Sequence, residues 1–243
     1  MVRDYRDSHI SREKSRHYEE DIYRKNSYDD VLWWWEQDLL REEITRFKKQ
    51  AGSVSALDFG CGTGRITAIV EQIVERSVGV DIADSMLEYA RAKLIRTELI
   101  SADLTKNDVL KGREFQLITA FRVFLNSSPQ LRDEMLVVLV PKLTHDGRMI
   151  FNMHGNIWSH RIFTKIYFWL RGRQLNTSSY WHAGRMMASH GFMIERFYGF
   201  GMIPKIFYRI FGVRSMFALD RMLSALPLMK YISFDLVFVC KKN

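Results

Sequence analysis

The residues best able to do chemistry in this chain cluster in Leu57-Asp58-Phe59-Gly60-Cys61-Gly62-Thr63-Gly64-Arg65. This stretch joins an apolar run of strand length, Val54 to Phe59, to a segment of helical spacing, Ile66 to Val74. Glycines at such a seam open backbone conformations closed to other residues and let a ligand press against the main chain. Their spacing narrows the ligand. A loop that cradles a dinucleotide pyrophosphate places a third glycine three residues after the second, and Arg65 stands there instead. A loop with no phosphate to hold suits a nucleoside joined to an amino acid. Asp81, about twenty residues further on, can accept hydrogen bonds from both hydroxyls of a ribose. The same carboxylate also serves nicotinamide enzymes, so by itself it does not discriminate.

These residues need a frame that gathers them. From Val54 to Phe151 strands alternate with helices, the pattern of a parallel sheet covered on both faces. Tyr28 to Phe47 reads as an amphipathic helix with Leu32, Trp35, Leu39 and Ile44 near one face, while Trp33-Trp34-Trp35 is more than one face can bury. Pro129 opens a helix to about Leu143, capped by Ser127 or Ser128. Arg185 to His190 reads as a short helix ended by Gly191, Phe192 to Phe197 as a strand, and Phe234 to Cys240 as a buried one. Trp158 to Leu170 and Ile203 to Leu223 are aromatic, basic and amphipathic, which fits either a lid folded over the sheet or a membrane-surface helix.

An acidic residue two before the first glycine, then G-x-G-x-G, resembles the first motif of the class I S-adenosylmethionine-dependent methyltransferases. The likeness continues in order. Val78-Gly79-Val80-Asp81-Ile82 resembles the second strand, with Ala83-Asp84-Ser85-Met86-Leu87 opening a helix. Ser101-Ala102-Asp103-Leu104 resembles the end of the third strand, and Phe115 to Ala120 the fourth. Leu143 to Phe151, with Asp146-Gly147 as a turn, resembles the approach to the fifth. The resemblance implies an α/β fold, a doubly wound, mostly parallel seven-stranded sheet with extra helical lid segments. Residues 1–50 would form an N-terminal helical cap, and 51–243 the methyltransferase domain with insertions near 155–180 and 200–230.

It further implies S-adenosylmethionine as cofactor, and no metal. Asp58 would meet the ammonium, directly or through water, or else cap the glycine loop. Gly60, Gly62 and Gly64 would allow close approach of the cofactor, Cys61 and Phe121 would also bind it, and Asp81 would take the ribose. Ile82 and Met86 would pack on adenine, with Asp103 and the Leu104 N–H at its edge. Tyr18, Tyr23 or Tyr28 could touch the cofactor from above. Methyl transfer from a sulfonium needs a positioned nucleophile and, for a hydroxyl, a base. His154, after the predicted fifth strand, is the first candidate base and His182 the second; a loop histidine without a role is the plainer alternative. Arg122, beside the sulfonium position, would need an anion nearby, either an acidic group on the acceptor or a salt-bridge partner.

Composition bounds the rest. The 243 residues suit one domain, and 47% hydrophobic with 26% charged residues describes a soluble globular chain. No apolar run approaches the roughly eighteen residues of a span, and the first thirty residues are strongly polar, so neither signal peptide nor span is expected. Residues 1 to about 20 are expected to be mobile. A cytoplasmic setting follows, with peripheral contact at the inner membrane face as an accompanying expectation. Cys61 and Cys240 are expected to be reduced. The net charge of +8 favours acidic partners or a solvated basic surface. Phe121-Arg122-Val123-Phe124 lacks the Asn/Asp-Pro-Pro-aromatic motif of nucleobase amine methyltransferases, which argues against nucleic acid. The expected activity is methylation of a small-molecule, lipid-linked or sugar oxygen. N-methylation, an RNA methyltransferase, a non-catalytic binding protein and, last, a nicotinamide oxidoreductase are the alternatives.

Overall fold

The computed structural model describes residues 27–173 and 175–243; Tyr18, Tyr23 and the expected mobile start lie outside the described residues. Helix α1 (Tyr28–Ala51) starts where Ser27 accepts a hydrogen bond from the Asp30 N–H. Asp29 and Asp30 in its first turn and Lys48 and Lys49 in its last complement the helix dipole. A parallel core follows: β1 (Ser55–Phe59), α2 (Arg65–Ile73), β2 (Arg76–Asp81), α3 (Asp84–Lys93), β3 (Glu98–Ser101), β4 (Phe115–Ala120), α4 (Pro129–Leu139) and β5 (Leu143–His154). Then come α5 (Arg161–Leu170), α6 (Tyr180–Ala188), β6 (Phe192–Phe200), α7 (Lys205–Phe211), α8 (Val213–Ser224) and β7 (Asp235–Lys242).

The seven strands run in the order β3-β2-β1-β4-β5-β7-β6, with β7 antiparallel to both its neighbours and every other pairing parallel. The chain winds outward from β1 to β3, then returns to lay β4 on the other side of β1. That reversal opens a crevice at the carboxyl ends of the strands. Successive strand residues face opposite sides: Leu57 and Phe59 pack with α4 and α6, whereas Ala56 packs with α1 and α2. Glu43, buried on α1, binds Arg196 (2.9 Å) and the Tyr198 hydroxyl (2.6 Å) and fastens α1 to the far edge strand.

Several boundaries differ from the sequence expectation. The helix from Pro129 ends at Leu139 and tightens into a 3₁₀ turn, Val140–Lys142, with Ser128 as the cap. Asp146-Gly147 is not a turn: β5 runs through it with a register irregularity against β4. The helix placed at Arg185 starts at Tyr180, because Ser179 caps it through the His182 N–H. Ile203 to Leu223 is broken into α7 and α8 by Gly212, whose φ of 85° disfavours a side chain.

The two insertions do not contribute walls to the main cavity. None of the ten α5 residues is buried, and the walls of the main cavity draw nothing from 157–232. Instead the second insertion is latched by Asp220, fully buried on α8. It accepts from the N–H groups of Met202 (2.9 Å) and Ile203 (3.3 Å) and from the Tyr208 hydroxyl (2.7 Å). Asp220→Ala leaves those donors buried and unpaired, at about 1–3 kcal/mol each. Urea denaturation is therefore expected to show a loss of at least about 2 kcal/mol, and limited proteolysis to open the α7–α8 segment.

Candidate functional site

A cavity of about 360 Å³ lies at the crevice, walled by the β1, β2, β4 and β5 ends, the loop after β3, the start of β7 and the first turn of α1. Gly60, Cys61, Gly62 and Thr63 form one wall, with Asp81, Ile82, Met86, Asp103, Leu104 and Phe121 close by. Gly60 has φ 71°, and a Cβ there would sit 2.5 Å from Val123 Cγ2, so only glycine lets the loop run this close to the β4 end. Gly64, at φ 79°, starts α2 against Ala90, 3.1 Å from where a Cβ would stand.

Each strand-tip carboxylate is held by fixed donors. Asp81 accepts from the N–H groups of Gly62 (2.8 Å) and Ala83 (2.9 Å), which turns it along the glycine loop. Asp103 accepts from the N–H (3.0 Å) and hydroxyl (2.6 Å) of Thr105. Asp58 is different. It is buried behind the loop, takes the hydroxyls of Thr67 (2.5 Å) and Thr119 (2.7 Å), and does not wall the cavity. Burial pushes its carboxyl up to about 6 against the pull of those hydroxyls. These bonds tie the end of β1 to α2 and β4 behind the glycine loop. Cys61 and Cys240 are buried free thiols.

The opposite end of the cavity carries a buried polar cluster. Arg122 sits at φ 60°, the positive-φ non-glycine among the described residues. Its N–H donates to Asn152 Oδ1 (2.6 Å), and its guanidinium binds Glu36 of α1 (2.9 Å), which is fully buried. Arg122 thus has its anion within the protein, and the pair is interior rather than a surface bridge. The Asn152 amide also reaches Glu36 (3.3 Å) and Asp235 (3.4 Å). Asp235 walls the cavity beside Arg122 and pairs across strands with His154. Burial, then the Glu36 carboxylate, push its carboxyl up to about 8.

His154 also walls the cavity. Burial, then Arg122 and Arg161, push its imidazole down to about 3, and Nδ1 has no hydrogen-bond partner. His182 lies on the first turn of α6, away from the cavity. Tyr28 is buried edge-on against Tyr208 and does not wall the cavity, whereas Asp29 and Leu32 do. Trp35 stacks on Phe200, Trp33 lies under Arg65, and Trp34 stays largely exposed. Sequence reasoning missed Asp235 and Glu36: one opens a strand and the other sits mid-helix, and neither belongs to a spaced motif. Among the described residues no His, Cys, Asp and Glu group is arranged to hold a metal.

Comparison with known proteins fits this geometry. A family model described as a methyltransferase domain matches residues 56–146. The matched segment, which includes the glycine loop and Asp81, is thus similar to a methyltransferase domain. No curated protein sequence matches it. Among solved structures, magnesium protoporphyrin IX methyltransferase from Synechocystis PCC 6803 with bound SAH is 15% identical over 98% of this chain and 97% of that chain, with a TM-score of 0.67. The N-methyltransferase NodS from Bradyrhizobium japonicum WM9 is 11% identical over 97% and 98%, at 0.60. A SAM-dependent methyltransferase from Archaeoglobus fulgidus is 17% identical over 86% and 94%, at 0.61. At such identities the likeness is one of fold.

The residues fit the cofactor of that domain: a glycine wall with no room for Cβ at Gly60, and a carboxylate fixed at the β2 tip. Gly60→Ala is expected to abolish binding of S-adenosylhomocysteine in calorimetry and to lower the melting temperature.

The ionisable groups predict a pH signature of stability. The folded Asp235 holds its proton up to about 8, against 3.8 for a free carboxyl, so in that window the folded chain binds more protons and stability falls as pH rises. Asp58 adds a fall that ends near 6. His154, lowered to about 3, adds a rise that is complete by its ordinary 6.5. Between 6.5 and about 8 the Asp235 effect therefore stands clear. Melting temperature is expected to drop across that interval in the wild type and to flatten in Asp235→Asn.

Proposed function

We propose that the chain methylates an oxygen on a small lipid-linked or sugar acceptor. The supporting observation is that one cavity joins a glycine-and-carboxylate wall at one end to a buried His154–Asp235–Arg122 cluster at the other. When bound, S-adenosylmethionine supplies a methyl group on a positively charged sulfur, already an activated leaving group. Asp81 is assigned to the ribose hydroxyls, Ile82 and Met86 to the adenine face, and Asp103 with the Leu104 N–H to its edge. Gly60, Cys61, Gly62, Gly64 and Phe121 are assigned to the amino-acid end. Asp58, behind the loop, reaches an ammonium at most through water.

At the acceptor end the chain must orient a hydroxyl and remove its proton. His154 is neutral at any working pH, but an imidazole pushed down to about 3 is a weak base. The raised Asp235 carboxyl is better matched, since a base works best when its pKa lies near the working pH. We therefore assign proton removal to Asp235 and acceptor orientation to His154. Arg122, committed to Glu36, is a positioning residue that keeps the Asp235 end compact rather than a clamp for an acidic acceptor.

The test is release of S-adenosylhomocysteine across hydroxyl and amine acceptor panels. Turnover with hydroxyl acceptors supports the proposal; turnover confined to amines replaces it with N-methylation. Asp81→Ala removes two charge-assisted hydrogen bonds, about 1.5–3 kcal/mol each, so cofactor affinity is expected to fall more than about tenfold. With Asp235 as base, kcat/KM climbs as pH approaches about 8 and then levels. A profile flat from mildly acid to mildly alkaline pH that is lost in His154→Ala transfers the role to His154.

A further inference from the structure

The surplus charge of this chain sits on two segments that take no part in the cavity. Residues 157–175 and 202–232 hold nine of the 36 Lys and Arg but one of the 28 Asp and Glu, so the remainder carries 27 of each sign and the +8 belongs to these segments. Their one acid, Asp220, is fully buried. Of the nine cations, Lys205 is the one that pairs with a carboxylate among the described residues, Asp29 at 2.6 Å.

The same segments expose large apolar side chains. Phe163 (74%), Trp169 (72%) and Leu170 (72%) project from α5, and Ile210 (62%) with Phe211 from α7. Met222 and Leu228 extend the series. A concentration of exposed rings and aliphatic chains marks a surface that something covers.

Both segments are rooted at the cavity rim. His160 stacks on Phe234 (5.3 Å between centroids) and Arg161 lies over the same ring at 5.5 Å, while Phe234 itself walls the cavity. His160 also bonds to the Met202 backbone and feels the Asp220 charge, the group that latches the second segment.

We propose that α5, α7 and α8 form a docking surface for an anionic phospholipid bilayer, set beside the cavity rim. The pattern selects this occupant. A second copy would bring like charge against like. A nucleic acid would meet the cations but leave Leu170, Ile210 and Met222 in water. An anionic bilayer answers both: apolar side chains enter the boundary between headgroups and acyl chains, and each Lys or Arg near the surface adds about 1 kcal/mol. Among the described residues no helix is long and apolar enough to cross a membrane, so the contact lies along the interface. Docking stands apart from the proposed activity; only entry of the acceptor from the bilayer rests on that activity.

The experiment is flotation of the cofactor-free full chain with phosphatidylcholine vesicles, with and without phosphatidylglycerol. Co-flotation with the anionic vesicles, weakened by salt and by neutral lipid, is expected. The double variants Phe163→Glu/Trp169→Glu and Ile210→Glu/Phe211→Glu are each expected to lose more than about tenfold in vesicle partitioning, since buried aromatic and aliphatic area drives such binding. Their affinity for S-adenosylhomocysteine is expected to stay unchanged, which shows that they fold and separates failure of docking from failure of the methyltransferase proposal. Recovery of the wild type in the lipid-free fraction with both vesicle types overturns the proposal. So does a dimer in sedimentation that Trp169→Glu dissociates, or salt-sensitive retention on bulk RNA without flotation.

Discussion

The ion pair between Glu36 and Arg122 ties the N-terminal helix to the crevice, where Arg122 walls the cavity. Glu36 is fully buried on α1, and Arg122 follows β4 at a backbone angle that an L-residue adopts only when its surroundings impose it. Asn152 of β5 supplies that constraint by taking the Arg122 N–H, and its amide reaches Glu36 and Asp235 in turn. Four elements thereby converge on one polar knot. Deleting one partner of such a pair typically costs about 3–5 kcal/mol, because the survivor is left charged and unpaired. Burial, then the neighbouring Glu36 carboxylate, make Asp235 resist ionisation, and Asp235 faces the cavity.

Preorganisation is the common theme of the other end. Asp81 and Asp103 already point where their backbone and hydroxyl donors hold them, and Asp58 ties β1 to α2 and β4 through Thr67 and Thr119. A ligand meeting fixed dipoles does not have to reorganise them, which is how a static protein stabilises a charge that moves during reaction. The parallel sheet makes this possible. Its strands end together at the crevice, so residues far apart in sequence arrive at one wall without any long-range motif.

Much of this was legible in the chain. The glycine loop, Asp81, Asp103 and the order of strands up to β5 follow from short-range patterning, where the residue type and the turn geometry are coupled locally. The Trp33 to Trp35 triplet was rightly too large for one face: its rings divide among Phe200, Arg65 and solvent. What differed was some detail set at a distance. The helix at Tyr180 begins earlier than its pattern suggests because Ser179 caps it, and the two amphipathic segments meet the cavity at its rim without lining it.

The amino-acid sequence by itself determined the glycine-loop end of the cavity, since positive-φ glycines at a strand-to-helix seam and a carboxylate at a strand tip are local consequences of residue type. Only the tertiary structure decided the buried polar cluster beside it. Glu36, Arg122, Asn152 and Asp235 come from four separate elements, and their burial and mutual charge, rather than their identities, set which of them holds a proton. Local chemistry is written in spacing; ionisation is written in surroundings, and those exist only once the chain has folded.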